Sequence, residues 1–118
     1  AGPGAGKTSV LVGRIVHLIR EQHVKPSEIM VLAFNRAVVF EIRKRVRDLF
    51  RSLGYAAYAS RVRVHTFHGL AMRHLGDAAP SVTEELLPAF ARRLTRDAAF
   101  RATVAGECRV LLVDEFQD

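Results

Sequence analysis

The sequence contains one cysteine, few lysines and no long apolar run. The single Cys108 excludes an internal disulfide and a cysteine-based metal framework, which fits a reducing cytosol. A membrane-spanning helix needs about 18 or more consecutive apolar residues, so neither membrane spanning nor a secretory signal is indicated. At 118 residues, the chain is long enough for one domain with a hydrophobic core and no more.

The charge of the chain comes mainly from arginine. Its 18 basic and 12 acidic residues give a net charge of +6, and only Lys7, Lys25 and Lys44 are lysines. A positive surface permits a polyanionic partner such as nucleic acid. A coding bias towards arginine explains the same composition equally well, so the charge alone does not choose a partner.

Strand-like and helix-like segments alternate along the chain. Short runs of branched apolar residues followed by polar residues predict buried strands over 29–34, 62–66 and 110–113. Apolar residues at helical spacing predict helices in the segments 7–22, 38–53, 69–75 and 83–104. This alternation predicts an α/β fold in which helices flank a parallel sheet.

The helical pattern is clearest over residues 38–53. Apolar residues recur there every three or four positions and are expected to face the core: Val38, Ile42, Val46, Leu49 and Leu53. A second stripe of arginines is expected to be a solvated face: Arg43, Arg47 and Arg51.

The last helical segment, 83–104, contains signals for interruptions. We expect breaks near Pro88 and near Asp97, and Ser81 with Glu84 has the spacing of a capping box. Cys108 comes just before the last predicted strand, so it is expected to be a small buried side chain.

The chain begins with AGPGAGKT, the pattern of a phosphate-binding loop. Its glycines let the backbone curl so that N–H groups point at phosphate oxygens, Lys7 supplies a charge for the β- and γ-phosphates, and Thr8 supplies a hydroxyl for Mg²⁺. The alternative is a chance glycine-rich turn before a helix. The predicted ATP-binding residues are Ala1, Gly2, Pro3, Gly4, Ala5, Gly6, Lys7 and Thr8.

The last strand is predicted to deliver carboxylates to the edge of the sheet where ligands bind. Asp114 is expected to hold Mg²⁺, and Glu115 to orient and deprotonate the water that attacks the γ-phosphate. Gln117 lies two residues later and could sense the γ-phosphate or this water. The alternative is a pair of solvated carboxylates at a strand end.

The two ends and two internal stretches together resemble UvrD/Rep-type superfamily 1 DNA helicases. The stretches are VLAFNRAVVFEIRKRV, VHTFHGLAMRHL and VDEFQD, in the family's order after the phosphate loop. The resemblance implies an ATP-driven motor that moves 3′ to 5′ on single-stranded DNA, with ATP between two RecA-like domains. Residues 1–118 would form most of the first domain, incomplete at both ends and missing at least one strand, with a short helical insertion over 76–107.

The resemblance also implies contacts with single-stranded DNA. The implied residues are Phe34, Asn35, Arg36, Thr66, Phe67 and His68. Either phenylalanine could instead belong to the core. The sequence departs from the family in having Gly69 where a serine is usual, and Val38 and Val39 where alanines are usual.

Two partners of the site are expected elsewhere: an adenine-recognising glutamine upstream, and an arginine of the second motor domain. We therefore expect residues 1–118 alone to bind nucleotide poorly and to hydrolyse it negligibly. Two other functions remain open at this point. One is a different phosphate-loop enzyme, such as a kinase or switch, and the other is a catalytically inactive DNA-binding or assembly module.

Overall fold

A small parallel sheet lies at the centre of the protein. The computed structural model describes residues 5–114, with side chains from residue 8 onwards. Within that part of the chain the sheet has the order β2-β1-β3, and all its pairs are parallel. The strands are β1 (Ile29–Ala33), β2 (Arg63–Thr66) and β3 (Val110–Val113). The predicted α/β class, the parallel sheet and the three strand positions are confirmed.

Helices cover both faces of the sheet. One face packs against α1 (Ala5–Glu21) and α2 (Arg36–Ser52). The other face packs against α3 (Phe67–Leu75) and α4 (Leu86–Arg96), with partly buried residues of α5 (Ala98–Ala105). Every residue of β1 is buried because this strand has a neighbour on each edge and helices on each face. Successive side chains of a strand point to opposite faces, so β1 contributes side chains to the hydrophobic core on each face of the sheet.

The buried stripe of α2 shares two of its four residues with the predicted stripe. Ile42 and Val46 are buried as predicted, but Val39 and Phe50 complete the stripe in place of Val38 and Leu49. Val38 and Leu49 are partly buried, and Leu53 is exposed. Both stripes have helical spacing, and the side of α2 that faces the sheet decides between them.

The prediction that β3 is buried on both faces was wrong. Val110 and Leu112 pack against the core formed with α1 and α2, whereas Leu111 and Val113 are about half exposed on the opposite face. Helices α3 and α4 cover Met30 of the central strand. They do not bury Leu111, which is paired with Met30 on β3.

The segment over 83–104 breaks once, at Asp97. Asp97 caps α5 by accepting a hydrogen bond from the backbone N–H of Phe100 at 3.0 Å. The predicted break at Pro88 was wrong, because Pro88 lies in the first turn of α4, where its missing N–H is not needed. The predicted capping box was wrong too, since Val82 begins the short turn Thr83–Glu85 without a side-chain cap.

Two further features concern the periphery. Cys108 is only partly buried beside the core formed with α3 and α4, and this burial raises the pKa of its thiol. None of the helices in the described range is long and apolar enough to span a bilayer.

Candidate nucleotide site and nucleic-acid interface

The carboxyl ends of the three strands bring the candidate residues to one edge of the sheet. β1 ends just before Phe34, β2 ends at Thr66, and β3 ends just before Asp114. Parallel strands place their carboxyl ends at the same edge, where ligands of open α/β sheets bind. The sequence segments 34–36, 66–68 and 114 therefore share this edge.

Thr8 and Asp114 stand out because they are polar and buried. Each side chain is 7% exposed, and among the described side chains no other polar or charged one is buried. The backbone N–H of Asp114 donates to the carbonyl of Leu32 at 2.9 Å, so Asp114 is fixed to the central strand. A hydroxyl and a carboxylate are oxygen ligands of the kind that Mg²⁺ prefers, so each side chain has the chemistry that its predicted role requires.

The other predicted nucleotide residues lie partly or wholly outside the described part. Residues 1–4 and 115–118 fall there, which includes Glu115 and Gln117, and the side chains of Ala5, Gly6 and Lys7 do so as well. Their roles in binding and catalysis stay predictions.

Phe34 and Phe67 form an aromatic pair at the shared edge. Their ring centroids lie 4.8 Å apart with planes inclined by 36°. Phe34 is 52% exposed, so it is not a core residue, while Phe67 is partly buried and packs beside the core formed with α3. The pair presents an exposed aromatic face next to the strand ends.

Asn35 and Thr66 are helix caps. The Asn35 side chain accepts a hydrogen bond from the N–H of Val38 at 2.8 Å, and Thr66 accepts one from the N–H of Gly69 at 2.9 Å. Thr66 thereby starts α3 at Phe67, two residues before the predicted start. Asn35 caps α2 through its side-chain oxygen, and its amide N–H₂ group takes no part in this hydrogen bond.

The glycine at position 69 fits closely under the Thr66 cap. A Cβ atom placed there would lie 3.0 Å from the Thr66 Oγ1 atom, which is tighter than ordinary van der Waals contact. A side chain at position 69 would press on the Thr66 hydroxyl that caps α3, which explains why glycine suits this position.

Arg43 was predicted to lie on a solvated face, but it also makes a hydrogen bond within the protein. Its guanidinium Nη2 donates to the carbonyl oxygen of Val64 at 2.6 Å, on the outer edge of β2. An edge strand with unpaired carbonyls invites pairing with another chain, and this arginine covers part of that edge. Arg47 and Arg51 are exposed, as predicted.

A charged network that the sequence analysis missed joins α3 to the segment before β3. The Glu107 carboxylate accepts from Arg73 at 2.6 and 3.0 Å and lies 2.9 Å from the Nε2 of His74. The backbone carbonyl of Glu107 also accepts from the Arg63 guanidinium. These groups connect the helix that follows Thr66 to the approach of the strand that ends at Asp114.

The pKa of His65 on β2 is lowered by its surroundings. Burial is the largest cause of this shift. The charges of Arg73, Arg43 and Arg63 lower the pKa further, and the charge of Glu107 raises it. The imidazole is therefore neutral at about pH 7. Its Nε2 atom is buried and has no hydrogen-bond partner among the described residues.

This lowered pKa predicts how stability depends on pH. Below the model-peptide value of 6.5, the unfolded chain binds a proton at His65 that the folded protein resists, so the free energy of unfolding falls as the pH drops through 6.5. His65→Gln should flatten this dependence. Urea midpoints between about pH 7.5 and about pH 5 measure it. His17→Gln, at an exposed position of α1, is the control; equal pH slopes for both variants would contradict the prediction.

Comparison with known proteins gives a family match over most of the chain. Residues 1–85 match the family described as the UvrD/REP helicase N-terminal domain. The match covers both strand-end segments that carry Phe34 and Phe67, whereas β3 and Asp114 lie beyond it.

Individual relatives point the same way. The ATP-dependent DNA helicase SRS2 of Saccharomyces cerevisiae is 35% identical over 75 residues, which is 64% of this chain and 6% of that protein. The ATP-dependent DNA helicase PcrA of Bacillus subtilis is 37% identical over 75 residues, 64% of this chain and 10% of that protein. DNA helicase IV of Escherichia coli is 38% identical over 72 residues, 61% of this chain and 10% of that protein. The matched part is thus a tenth or less of each relative's length.

Proposed function

The chain belongs to the UvrD/REP helicase N-terminal domain family. We therefore propose that it forms most of the first motor domain of an ATP-dependent DNA helicase. One observation carries the proposal. The buried polar side chains of the described part are Thr8 and Asp114, the two residues that the sequence motifs assign to Mg²⁺. A hydroxyl and a carboxylate are oxygen ligands of the kind that Mg²⁺ prefers, which supports a role for both side chains in holding a nucleotide-bound cation.

The nucleotide site combines the two ends of the chain in a RecA-like, phosphate-loop fold. The loop of residues 1–8 binds the phosphates of ATP, and Lys7 neutralises charge on the β- and γ-phosphates. Thr8 and Asp114 hold Mg²⁺ beside them. Glu115 orients the attacking water and accepts its proton, and Gln117 contacts the same region. ATP supplies the phosphoanhydride bond whose hydrolysis drives movement.

The nucleic-acid site uses the loops beside this nucleotide site. Unpaired bases stack on Phe34 and Phe67, since an exposed aromatic face accepts any base. Asn35, Arg36, Thr66 and His68 contact the sugar-phosphate backbone through amide, guanidinium, hydroxyl and imidazole groups. Because these loops follow strands that also end at the nucleotide, a shift at the phosphates can reach the DNA. Movement from 3′ to 5′ and preference for DNA are part of the proposal and rest on the family.

The partners of the domain follow from the same proposal. A second RecA-like motor domain closes over ATP and adds an arginine to the transition state. In this proposal, residues 76–107 form a short helical insertion, and they contain α4 and α5. A cytoplasmic location is proposed from the single cysteine and the kind of substrate.

The interface is tested by removing its aromatic rings. Phe34→Ala and Phe67→Ala should each weaken binding of fluorescein-labelled oligothymidine by about 5- to 150-fold, because stacking contributes about 1–3 kcal/mol per base. Fluorescence anisotropy of the chain measures the dissociation constant, and circular dichroism checks that each variant folds.

Tyr58→Ala is the matched control for these variants. Tyr58 is an exposed aromatic residue in the turn Ala56–Arg61, at the opposite end of β2 from Thr66. Its removal should leave the dissociation constant unchanged. Equal affinities of the wild type and all three variants, or no binding by the wild type, would refute the proposed interface.

A further inference from the structure

A groove runs between α2 and α3 along the outer edge of β2. It has a volume of about 700 Å³, and its lining includes Arg36, Phe40 and Arg43 of α2, Thr66 at the end of β2, and Arg73 of α3. Among its described lining residues there are three arginines and no carboxylate. The groove is therefore a cationic channel, which suits a polyanion.

Two of the three arginines of this groove are held in place. Arg43 is anchored by its hydrogen bond to the Val64 carbonyl, and Arg73 by its contacts with Glu107. Fixed guanidinium groups lose less side-chain freedom on binding than free ones. His65 also lines the groove; burial lowers the pKa of its imidazole, and the charges of Arg73 and Arg43 lower it further, against the opposite effect of Glu107.

Phe40 is the unexpected member of the lining. It is 69% exposed and lies on α2 outside the buried stripe. Arg36, Phe40 and Arg43 are spaced by four and three residues, so they lie on one side of the helix. An exposed aromatic ring between two arginines is the composition of a surface that stacks unpaired bases and neutralises their phosphates.

The groove is continuous with the proposed DNA interface. Arg36 and Thr66 belong both to the groove lining and to the strand-end segments beside Phe34 and Phe67. A strand that stacks on the aromatic pair can therefore enter the groove without leaving the protein surface.

We propose that this groove extends the path of single-stranded DNA, with one unpaired base stacked on Phe40 and backbone phosphates against Arg36, Arg43 and Arg73. The inference rests on the proposed function, because it takes single-stranded DNA as the ligand. It adds a stacking residue and two phosphate-binding residues that lie outside the strand-end segments.

The stacking role is tested with Phe40→Ala and Phe40→Trp. Phe40→Ala should raise the dissociation constant for an oligothymidine of about 10 nucleotides by about 5- to 150-fold, and Phe40→Trp should keep affinity near that of the wild type. Val10→Ala, which removes an equally exposed apolar side chain from α1, should change nothing.

The phosphate contacts are tested by the salt dependence of binding. Each arginine–phosphate contact with a single strand contributes about 0.7 to the slope of log K against log salt, so Arg43→Gln and Arg73→Gln should each lower this slope by about that amount. Arg51→Gln removes the same charge from an exposed position at the end of α2 and should leave the slope unchanged.

The outcomes separate this inference from the proposed function. If the wild type fails to bind single-stranded DNA, the proposed function and the groove both fail. If Phe34→Ala and Phe67→Ala weaken binding while the Phe40, Arg43 and Arg73 variants behave like their controls, the groove alone is overturned. Tighter binding of duplex than of single-stranded DNA at the groove would overturn it as well.

Discussion

Glu115→Gln is expected to reduce ATP turnover by about 10²–10⁴-fold while nucleotide binding persists. The amide that replaces the carboxylate has nearly the same shape, but it cannot accept a proton from the attacking water. Asp114, which precedes it, keeps its carboxylate and its backbone hydrogen bond to Leu32, so the proposed Mg²⁺ ligand is unchanged. The variant should therefore lose the chemical step and retain the bound state.

Turnover is measured as phosphate release with excess single-stranded DNA, in a polypeptide that joins this chain to a second motor domain. Binding of a fluorescent ATP analogue is measured separately. Glu85→Gln, an exposed carboxylate in the turn Thr83–Glu85, makes the same chemical change away from the site and should leave turnover intact. Unchanged turnover in Glu115→Gln would assign the base to another residue, and turnover without added DNA would favour a kinase or switch.

Phe50→Ala is expected to cost about 3–5 kcal/mol in the free energy of unfolding. Phe50 is 1% exposed and belongs to the core between α2 and the sheet. Its backbone carbonyl also accepts from the N–H of Tyr55 at 2.7 Å, so a collapse around the cavity would disturb the end of α2. Domains of this size have about 5–15 kcal/mol in total, and the loss is a large part of that.

Urea unfolding followed by circular dichroism measures this change. Phe40→Ala is the matched control, because it makes the same substitution in the same helix at a position that is 69% exposed; its effect should stay within about 0.5 kcal/mol. Phe50→Leu, which keeps most of the volume, covers the case in which Phe50→Ala does not fold. Equal losses in Phe40→Ala and Phe50→Ala would mean that the core is wrongly assigned.

The same comparison separates binding from folding at Phe40. A variant that unfolds would lose DNA binding for a trivial reason, and an exposed ring on a helix surface should not cause this. Phe40→Ala is thus expected to keep the stability of the wild type and to lose affinity for single-stranded DNA.

Local patterns predicted the elements well. Branched apolar runs marked the three strands of the described part, because such residues suit a strand that packs against helices on at least one face. The break at Asp97 was predictable too, since an aspartate that caps a helix acts on the N–H three residues later. Pro88 misled because the same residue breaks a helix interior and starts a helix, and only the first turn of α4 distinguishes the two.

Burial was harder to predict than secondary structure. Val38 and Val39 fit helical spacing equally well, and the orientation of α2 against the sheet selected Val39. Leu111 and Val113 have the composition of buried strand residues, yet the helices cover the central strand more fully than β3. These outcomes depend on which element lies above each residue, which a local pattern does not contain.

The sequence by itself determined the family of this protein and the chemistry proposed for it, through a glycine-rich pattern ending in Lys7 and Thr8 and the carboxylates after the last strand. Tertiary structure alone decided which side chains meet. Arg73 contacts Glu107, which is 34 residues away in the sequence, and Arg43 contacts Val64, which is 21 residues away. Such contacts are set by strand register and helix packing, because residues far apart in the chain become neighbours only when the sheet has formed.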